Sequence, residues 1–365
     1  MKNLVHNNAK IVISIVVSFM GISIIWFALS SDKEKPSLTE QFVEQHMRNE
    51  NGTWATYLQD APAVDQNIVA GREALSESLG LWMQYAVLQQ NQFKLNESLD
   101  VLESYFLSPQ KYIRWKLQPS GQSDVSTNAL GDDLRIIDSL LQAYTIWKNE
   151  KYLSVAKDIV STLRSDVQRN GYFVDFHDFK QNDSSDTLSL VYVDLSALKR
   201  MLNNRLISDA VFEQHKNLLL QMPSDGVFYP KAFQVQSKQS TYDESVNLID
   251  QLIVGIHLTE AGQQPTELVQ FLKDEFKQRQ QLMGRYDRAN RVPDVSYESP
   301  AVYGLAILLA LECDDVKWAK QLQKRMSSFR DQDKAYPGGY VFDNNTHFFD
   351  NLFPLLAETA LNNDR

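Results

Sequence analysis

The sequence contains few of the residues that cross-link chains or interrupt helices. Cys313 is its single cysteine, so no intrachain disulfide can form. Only 14 of the 365 residues are glycine and 11 are proline, which favours helices over a loop-rich β fold. The formal net charge of -10 argues against a nucleic-acid-binding protein, since the phosphate backbone attracts basic surfaces. We expect a monomer that acts on a neutral or cationic polymer.

Several catalytic motifs are also missing. The six histidines show neither an HExxH pattern nor another metal-ligand spacing. The chain has no glycine-rich phosphate-binding loop and no GxSxG nucleophile motif. The sequence therefore implies no metal ion and no other cofactor.

One long apolar run lies near the N-terminus. Lys2 and Lys10 precede residues 11–29, which are uncharged and mostly apolar. A helix over this run would be about 28 Å long, close to the thickness of a bilayer core. The positive-inside rule then predicts a cytoplasmic segment at 1–10, a transmembrane signal anchor at 11–29 and an extracellular remainder. A cleaved signal peptide is the alternative, because small residues flank Leu29. No cysteine lies directly after the run, so we expect no lipoprotein anchor.

The rest of the chain reads as a short linker and one helical domain. Residues 30–40 are polar and contain Pro36, and residues 41–365 form the predicted domain. Apolar residues recur there at helical spacing and predict ten to twelve helices of about 10–18 residues. The clearest apolar stripe comprises Leu134, Ile137, Leu140, Leu141, Tyr144 and Trp147. No short repeat is visible, and twelve helices suit an all-α barrel of six helix pairs.

Three acidic segments accompany these helices. Glu77 lies among Leu79, Leu81 and Trp82, and burial beside them would raise its pKa, as a general acid requires. Asp132 and Asp133 open the Leu134–Trp147 stripe and could bind sugar hydroxyls. The plainer interpretation of each is an acid that caps or begins a helix.

The third acidic segment contains Asp243, which precedes a predicted helix at 246–258. It could act as a general base oriented by the Tyr242 hydroxyl, or simply cap that helix. Glycoside hydrolysis requires one carboxyl that protonates the leaving oxygen and a second that activates water or attacks the sugar. Carboxylates far apart in an all-helical sequence therefore suggest a sugar-cleaving site.

Aromatic residues near loops and helix ends support the same hypothesis. Sugar rings present C–H faces that stack on aromatic rings, although most aromatics in a helical protein belong to the core. The candidates for stacking are Trp82, Trp115, Tyr172, Tyr242 and Tyr297.

At the acidic segments the chain resembles glycoside hydrolase family 8, the family of endoglucanases, chitosanases, xylanases and cellulose-operon cellulases. The family's acid motif is Ser-Glu-Gly-x-x-Tyr-Gly-Met, and Ser76, Glu77 and Met83 match it. Its Tyr-Asp-Ala-x-Arg motif is matched by Tyr242 and Asp243, whereas Val246 stands in place of the arginine.

The family's middle motif matches best in its second half. It has Ala-Ser/Thr-Asp-Ala/Gly-Asp, followed by a helix that ends in Leu-Leu-x-Ala-x-x-x-Trp. The matching residues are Asp133, Ile136, Ser139, Leu140, Leu141, Ala143 and Trp147. Gly131 stands where the family has its first aspartate, and Asp132 stands at the small residue. The sugar-binding aspartate is therefore either displaced to Asp132 or lost.

The resemblance spans about residues 68–357 and implies an (α/α)6 barrel with a groove across one end. It also implies an inverting reaction in which Glu77 is the general acid and Asp243 the general base. We expect a membrane-anchored extracellular enzyme that cleaves a β-linked polysaccharide, plausibly the cell's own exopolysaccharide. The alternatives are a polysaccharide-binding protein that assists export, an unsaturated glucuronyl hydrolase or lyase on the same fold, and a structural helical scaffold.

Overall fold

The computed structural model describes residues 36–62 and 68–363, which are mainly helical. The predicted cytoplasmic segment and signal anchor lie outside these residues. Among the described residues, none of the helices has both the length and the apolar character needed to cross a bilayer. Residues from Leu38 onward form one compact unit with its own core. The first described helix begins at Leu38, inside the predicted linker.

Twelve α-helices lie in the described part of the chain, the number that the apolar pattern allows at its upper limit. They are α1 (Leu38–His46), α2 (Ser76–Leu88), α3 (Gln92–Val101), α4 (Leu130–Trp147), α5 (Glu150–Asp166), α6 (Leu195–Asn203), α7 (Asp209–Gln221), α8 (Leu248–Glu260), α9 (Thr266–Arg279), α10 (Pro300–Glu312), α11 (Val316–Ser327) and α12 (Phe349–Asn363). A π-helical turn, Leu102–Phe106, extends α3, and a 3-10 turn, Leu190–Tyr192, precedes α6.

The even-numbered helices form a closed inner ring. Each of α2, α4, α6, α8, α10 and α12 packs against the next, and α12 packs against α2. The odd-numbered helices pack on the outside of this ring, and α1 lies against α12. The expected all-α (α/α)6 barrel is therefore confirmed for the described residues.

The two layers differ in how their residues are distributed around the helix. The inner helix α10 is buried on nearly all sides, begins with Pro300 at its first turn and is capped by the Ser299 hydroxyl. The outer helix α11 instead buries one stripe that contains Trp318, Leu322 and Met326. A helix that is apolar all round belongs in a core, whereas an amphipathic helix covers one.

Short strands, which the sequence analysis did not predict, lie in the loops that lead into the inner helices. They are β1 (Ala74–Leu75), β2 (Lys116–Leu117), β3 (Gln168–Arg169), β4 (Tyr172–Phe173), β5 (His177–Asp178), β6 (Asp183–Ser184), β7 (Thr187–Ser189), β8 (Ala232–Gln234), β9 (Gln239–Thr241), β10 (Ser245–Asn247) and β11 (Arg285–Asp287). All pair antiparallel, as β1–β2, β3–β4, β5–β6, β7–β8–β9 and β10–β11.

Because inner and outer helices alternate along the chain, the inner helices run parallel to one another. Their N-termini therefore meet at one end of the barrel, which we call the N-terminal face. The strand-bearing loops surround this face. Unpaired N–H groups and the positive ends of helix dipoles favour acidic side chains there.

Candidate active site

Glu77 lies in the first turn of α2, on the N-terminal face. Its side chain keeps some contact with solvent, and within the described residues no hydrogen bond or ion pair ties its carboxyl. Burial first, and then the nearby Asp132 carboxylate, raise the pKa of Glu77 from 4.5 to about 8, although the Arg135 guanidinium lowers it. A carboxyl with this pKa is protonated at neutral pH and can donate its proton to a leaving group.

Asp132 lies beside Glu77 at the start of α4. Its Oδ2 accepts a hydrogen bond of 2.5 Å from the Ser76 hydroxyl, and its Oδ1 is 3.7 Å from Arg135 Nη1. Burial raises the pKa of Asp132, whereas Arg135 and the Ser76 hydrogen bond lower it. Ser76, which precedes Glu77, thus binds Asp132 directly. The predicted site residues Glu77 and Asp132 therefore lie close together.

The β1–β2 ribbon brings Trp115 to the same place. The Ser76 amide donates to the Trp115 carbonyl over 3.0 Å, and the Trp115 side chain is only partly buried. Beneath it, Lys116 Nζ lies 3.1 Å from Glu73 Oε1, an ion pair whose side chains are 0% and 4% exposed. The backbone of Trp115 therefore contacts that of Ser76, on a ribbon held by a buried charge pair, and its role in substrate binding stays a prediction.

Asp243 occupies the turn between β9 and β10. Its Oδ2 lies 3.1 Å from Lys231 Nζ, which is also 3.2 Å from Asp250 Oδ2 in the first turn of α8. The side chain of Asp243 is 37% exposed, so water can reach its carboxylate. The helix that follows begins at Leu248 and is capped by Asn247, so Asp243 does not cap it.

The predicted orientation of Asp243 by Tyr242 is wrong in this structure. The Tyr242 hydroxyl donates to the Pro223 carbonyl over 2.6 Å and is therefore engaged elsewhere. The Arg288 guanidinium lies over the Tyr242 ring at 4.5 Å from its centroid. The ring is half-buried, and its role in substrate binding stays a prediction.

Burial removes two predicted residues from contact with a substrate. Trp82 is 0% exposed and packs between Trp54 and Tyr85, so it belongs to the core. Asp133 is 1% exposed, and its Oδ2 accepts a hydrogen bond of 2.6 Å from Asn128. Burial raises the pKa of Asp133 well above its usual value, and this carboxyl belongs to the buried interior of the barrel.

The remaining two aromatic candidates lie on separate loops. The Tyr172 ring contacts those of His215 and Phe233 and lines a cleft of about 420 Å³ beside α7. Tyr297 is 53% exposed, and its ring covers Gly284, just before β11. Neither contact links these rings to Glu77, so their predicted stacking role is untested.

Sequence reasoning missed Arg135, Asp175, Tyr192 and Lys231. Arg135 was detectable, because it lies three residues after Asp132 on the same face of α4. The other three come from loops, where no periodicity marks a residue that faces a site. Burial raises the pKa of Tyr192 above its usual value, and the Asp132, Glu77 and Asp175 carboxylates raise it further. Tyr192, Asp132, Glu77 and Asp175 therefore share one part of the N-terminal face.

Three possible metal ligands lie where α6 begins and α8 ends. The ligand atoms of Asp194, His257 and Glu260 lie within 4.8 Å of one another. His257 Nδ1 is 3.1 Å from Glu260 Oε2, and His257 Nε2 is 3.2 Å from the Val191 carbonyl. Burial lowers the pKa of His257, but the acidic neighbours raise it overall, which favours the doubly protonated ring, and such a ring has no lone pair for a metal. We therefore interpret this arrangement as a partly buried ion pair.

The site is an open face, and the molecule also has a cleft elsewhere. A cleft of about 890 Å³ separates α9 from α11, and Lys277, Lys317 and Lys324 are among its lining residues. Neither Glu77 nor Asp132 lines it. The acidic residues around Glu77 and this cleft therefore lie at different places on the protein.

The fold is the one found in the barrels of glycoside hydrolase family 8. A family 8 endoglucanase from Klebsiella pneumoniae superposes with a TM-score of 0.60 at 14% identity, over 90% of this chain and 99% of that one. This similarity confirms the predicted resemblance at the level of the fold. No model of a known protein family matches the sequence.

Nearer relatives place the chain more specifically. It is 36% identical over 328 residues to a Bacillus subtilis protein described as putative lipoprotein YdaJ, over 89% of this chain and 87% of the relative. The protein therefore belongs to the same family as YdaJ.

Two solved structures resemble it strongly. A Clostridium perfringens protein described as a novel alpha-amylase is 25% identical, with a TM-score of 0.79 over 88% of this chain and 96% of that one. PssZ from Listeria monocytogenes is 24% identical, with a TM-score of 0.72 over 90% and 97%.

Proposed function

We propose that this protein is an exported glycoside hydrolase that cleaves a β-linked polysaccharide by an inverting acid–base reaction. One observation carries the proposal. On a family 8 fold, the Glu77 carboxyl is partly open to solvent, is tied by no neighbouring group in the described residues, and has its pKa raised to about 8. A proton donor at neutral pH needs these properties.

Asp243 is the proposed general base. Its carboxylate is accessible to water and is held by Lys231. Lys231 thus supplies a cation to Asp243 in a chain that has Val246 in place of the arginine of the family motif. An inverting enzyme separates its two carboxyl groups by about 6.5–9.5 Å so that a water molecule fits between sugar and base. Proton NMR of freshly released products tests this step, because inversion of a β-linkage yields the α-anomer first.

The activity test compares the soluble fragment from residue 36 onward with its Glu77→Gln variant. Both are incubated with β-glucans, chitosan, xylan, starch and the host exopolysaccharide, and new reducing ends are counted. Starch is included because one solved relative is described as an alpha-amylase. We expect release by the wild type, a loss of at least about 100-fold in Glu77→Gln, and near-normal release by Glu267→Gln, an exposed first-turn glutamate of α9. Equal release by all three proteins would disprove the assignment.

The exopolysaccharide as substrate is proposed from the apolar run at residues 11–29. A membrane-bound enzyme acts on polymer at its own cell surface, whereas a scavenging enzyme gains by diffusing away. One relative is described as a putative lipoprotein, which supports export of this chain as well. Fractionation of the host should find the protein outside the cytoplasm, and a cytoplasmic location would contradict the proposal.

A polysaccharide-binding protein without hydrolysis is the second candidate. Gly131 favours it, because this position lacks the acidic side chain of the family motif. Binding of an oligosaccharide by wild type and Glu77→Gln, with no release of reducing ends from any polymer, would support this function instead.

A further inference from the structure

The place of the missing acid at position 131 is filled by another side chain. A Cβ built on Gly131 would lie 2.3 Å from Cδ1 and 2.4 Å from Cε1 of Tyr192. Such distances are shorter than non-bonded carbon–carbon contacts in proteins, so no side chain can project from residue 131 while the Tyr192 ring stays where it is. The Tyr192 ring therefore fills the space that a side chain at position 131 would need.

Tyr192 ends the 3-10 turn that packs between α4 and α8. Its phenol is largely enclosed, and the carboxyls of Asp132, Glu77 and Asp175 lie near it. Burial first, and then these acidic groups, raise the pKa of the phenol, so it stays protonated at neutral pH and can donate a hydrogen bond. The ring thus offers a face and one donor at the position beside the proposed general acid.

Asp175 reaches the same position from the loop after β4. Its carbonyl accepts a hydrogen bond of 2.9 Å from the amide of Leu130, the residue before Gly131. The Ser189 amide and hydroxyl donate to the two oxygens of its carboxylate over 2.6 and 2.7 Å. These bonds hold the carboxylate in one orientation, as a substrate-binding group requires. The backbone of Asp175 therefore lies beside position 131, and its carboxyl is close enough to Tyr192 to raise the pKa of that phenol.

We propose that Asp175 and Tyr192 together form the sugar-binding pair beside Glu77 and replace the acid that the family motif has at position 131. Asp175 accepts a hydrogen bond from a sugar hydroxyl, and Tyr192 packs its ring on the sugar and donates from its phenol. This assignment rests on the proposed function, since it names residues of the same site.

The structural part can be tested without any substrate. Gly131→Ala should destabilise the full chain because its new methyl group would overlap the Tyr192 ring. In a Tyr192→Ala background the same substitution should be neutral or stabilising, since alanine is the better helix former and the ring is gone. The melting temperatures of the four proteins measure this coupling. Additive changes would overturn the claim that Tyr192 occupies the place of a side chain at 131.

The sugar-binding part is tested with Asp175→Asn in the full chain. We expect kcat/KM to fall about 10- to 100-fold, the usual loss for a hydrogen bond to a charged group. Asp183→Asn is the matched control, because Asp183 lies on the adjacent β6 with its side chain 78% exposed. It should stay within about twofold of the wild type.

The possible failures are distinguishable. If Glu77→Gln abolishes hydrolysis and Asp175→Asn behaves like the Asp183 control, the proposed function stands and the sugar-binding pair is refuted. If the wild type cleaves no glycan, the proposed function fails, and calorimetry with oligosaccharides decides the pair separately. Equal affinity in wild type and Asp175→Asn, or no binding at all, would overturn it.

Discussion

Glu77→Gln should stabilise the folded protein although it removes the proposed proton donor. The pKa of Glu77 is about 8 in the folded state, against 4.5 for the ordinary side chain. At pH 7 the unfolded chain has lost this proton and the folded chain retains it. Each pH unit above 4.5 lowers the folded state's stability by about 1.36 kcal/mol, so the reduction at pH 7 is at most about 3 kcal/mol. Glutamine has the shape of the protonated carboxyl without its titration and should recover most of this energy.

The sign of the effect follows from proton binding. Below about pH 4.5 both states are protonated, and the variant and wild type should be equally stable. Between this pH and about 8 the folded wild type binds more protons than the unfolded chain, so its stability falls as the pH rises. Urea unfolding of the fragment from residue 36 onward at pH 5, 6, 7 and 8 measures the difference directly.

The control for this experiment is Glu267→Gln, an exposed glutamate in the first turn of α9. It should change the free energy of unfolding by no more than about 0.5 kcal/mol, with no trend over the same pH range. A Glu77→Gln variant that is less stable than wild type, or whose advantage does not grow with pH, would refute the burial of a neutral carboxyl. The general-acid assignment would then lose its physical basis.

Three further predictions concern neighbouring groups. Asp132→Asn removes a negative charge beside Glu77, so the alkaline limb of the kcat/KM profile should move to lower pH, and a move to higher pH would contradict the coupling. Lys116→Met leaves the Glu73 carboxylate buried without its cation, so it should lower the free energy of unfolding by about 3–5 kcal/mol. A loss below about 1 kcal/mol would show that the ion pair contributes little to stability. Burial lowers the pKa of His257, but its acidic neighbours have the larger effect, so the pKa is raised. The wild type should therefore lose stability relative to His257→Gln as the pH rises above about 6.5. Stability curves that run parallel over this pH range would rule out the imidazolium.

Local sequence determined the helical architecture and the positions of the acids within it. The stripe from Leu134 to Trp147 lies on α4, and Asp132 and Asp133 lie in its first turn, because apolar spacing and helix-start signals act over a few residues. The same signals place Glu77 at the start of α2. Such interactions depend on the nearest turns of the chain, so they can be read without knowing the fold.

Whether each of these side chains faces the site could not be read in the same way. Trp82 has buried neighbours on both sides, Leu81 and Met83, because α2 is an inner helix with almost no polar face. A pattern without polarity does not indicate which side faces the substrate and which faces the core. The local pattern did not reveal the burial of Asp133 either. Asp133 is buried together with Asn128, which donates a hydrogen bond to its carboxyl.

Only the tertiary structure decided which distant groups join Glu77 on the N-terminal face. Asp175, Tyr192 and Lys231 are separated from it by about 100 residues or more of chain, and they come from loops without periodic patterns. Closing the inner ring brings these loops to one face, and burial there raises the pKa of Glu77. The sequence by itself thus determined the helices and their acidic first turns, because short-range forces form them. The burial that raises the pKa of one of those acids arises only from contacts between segments far apart in the chain.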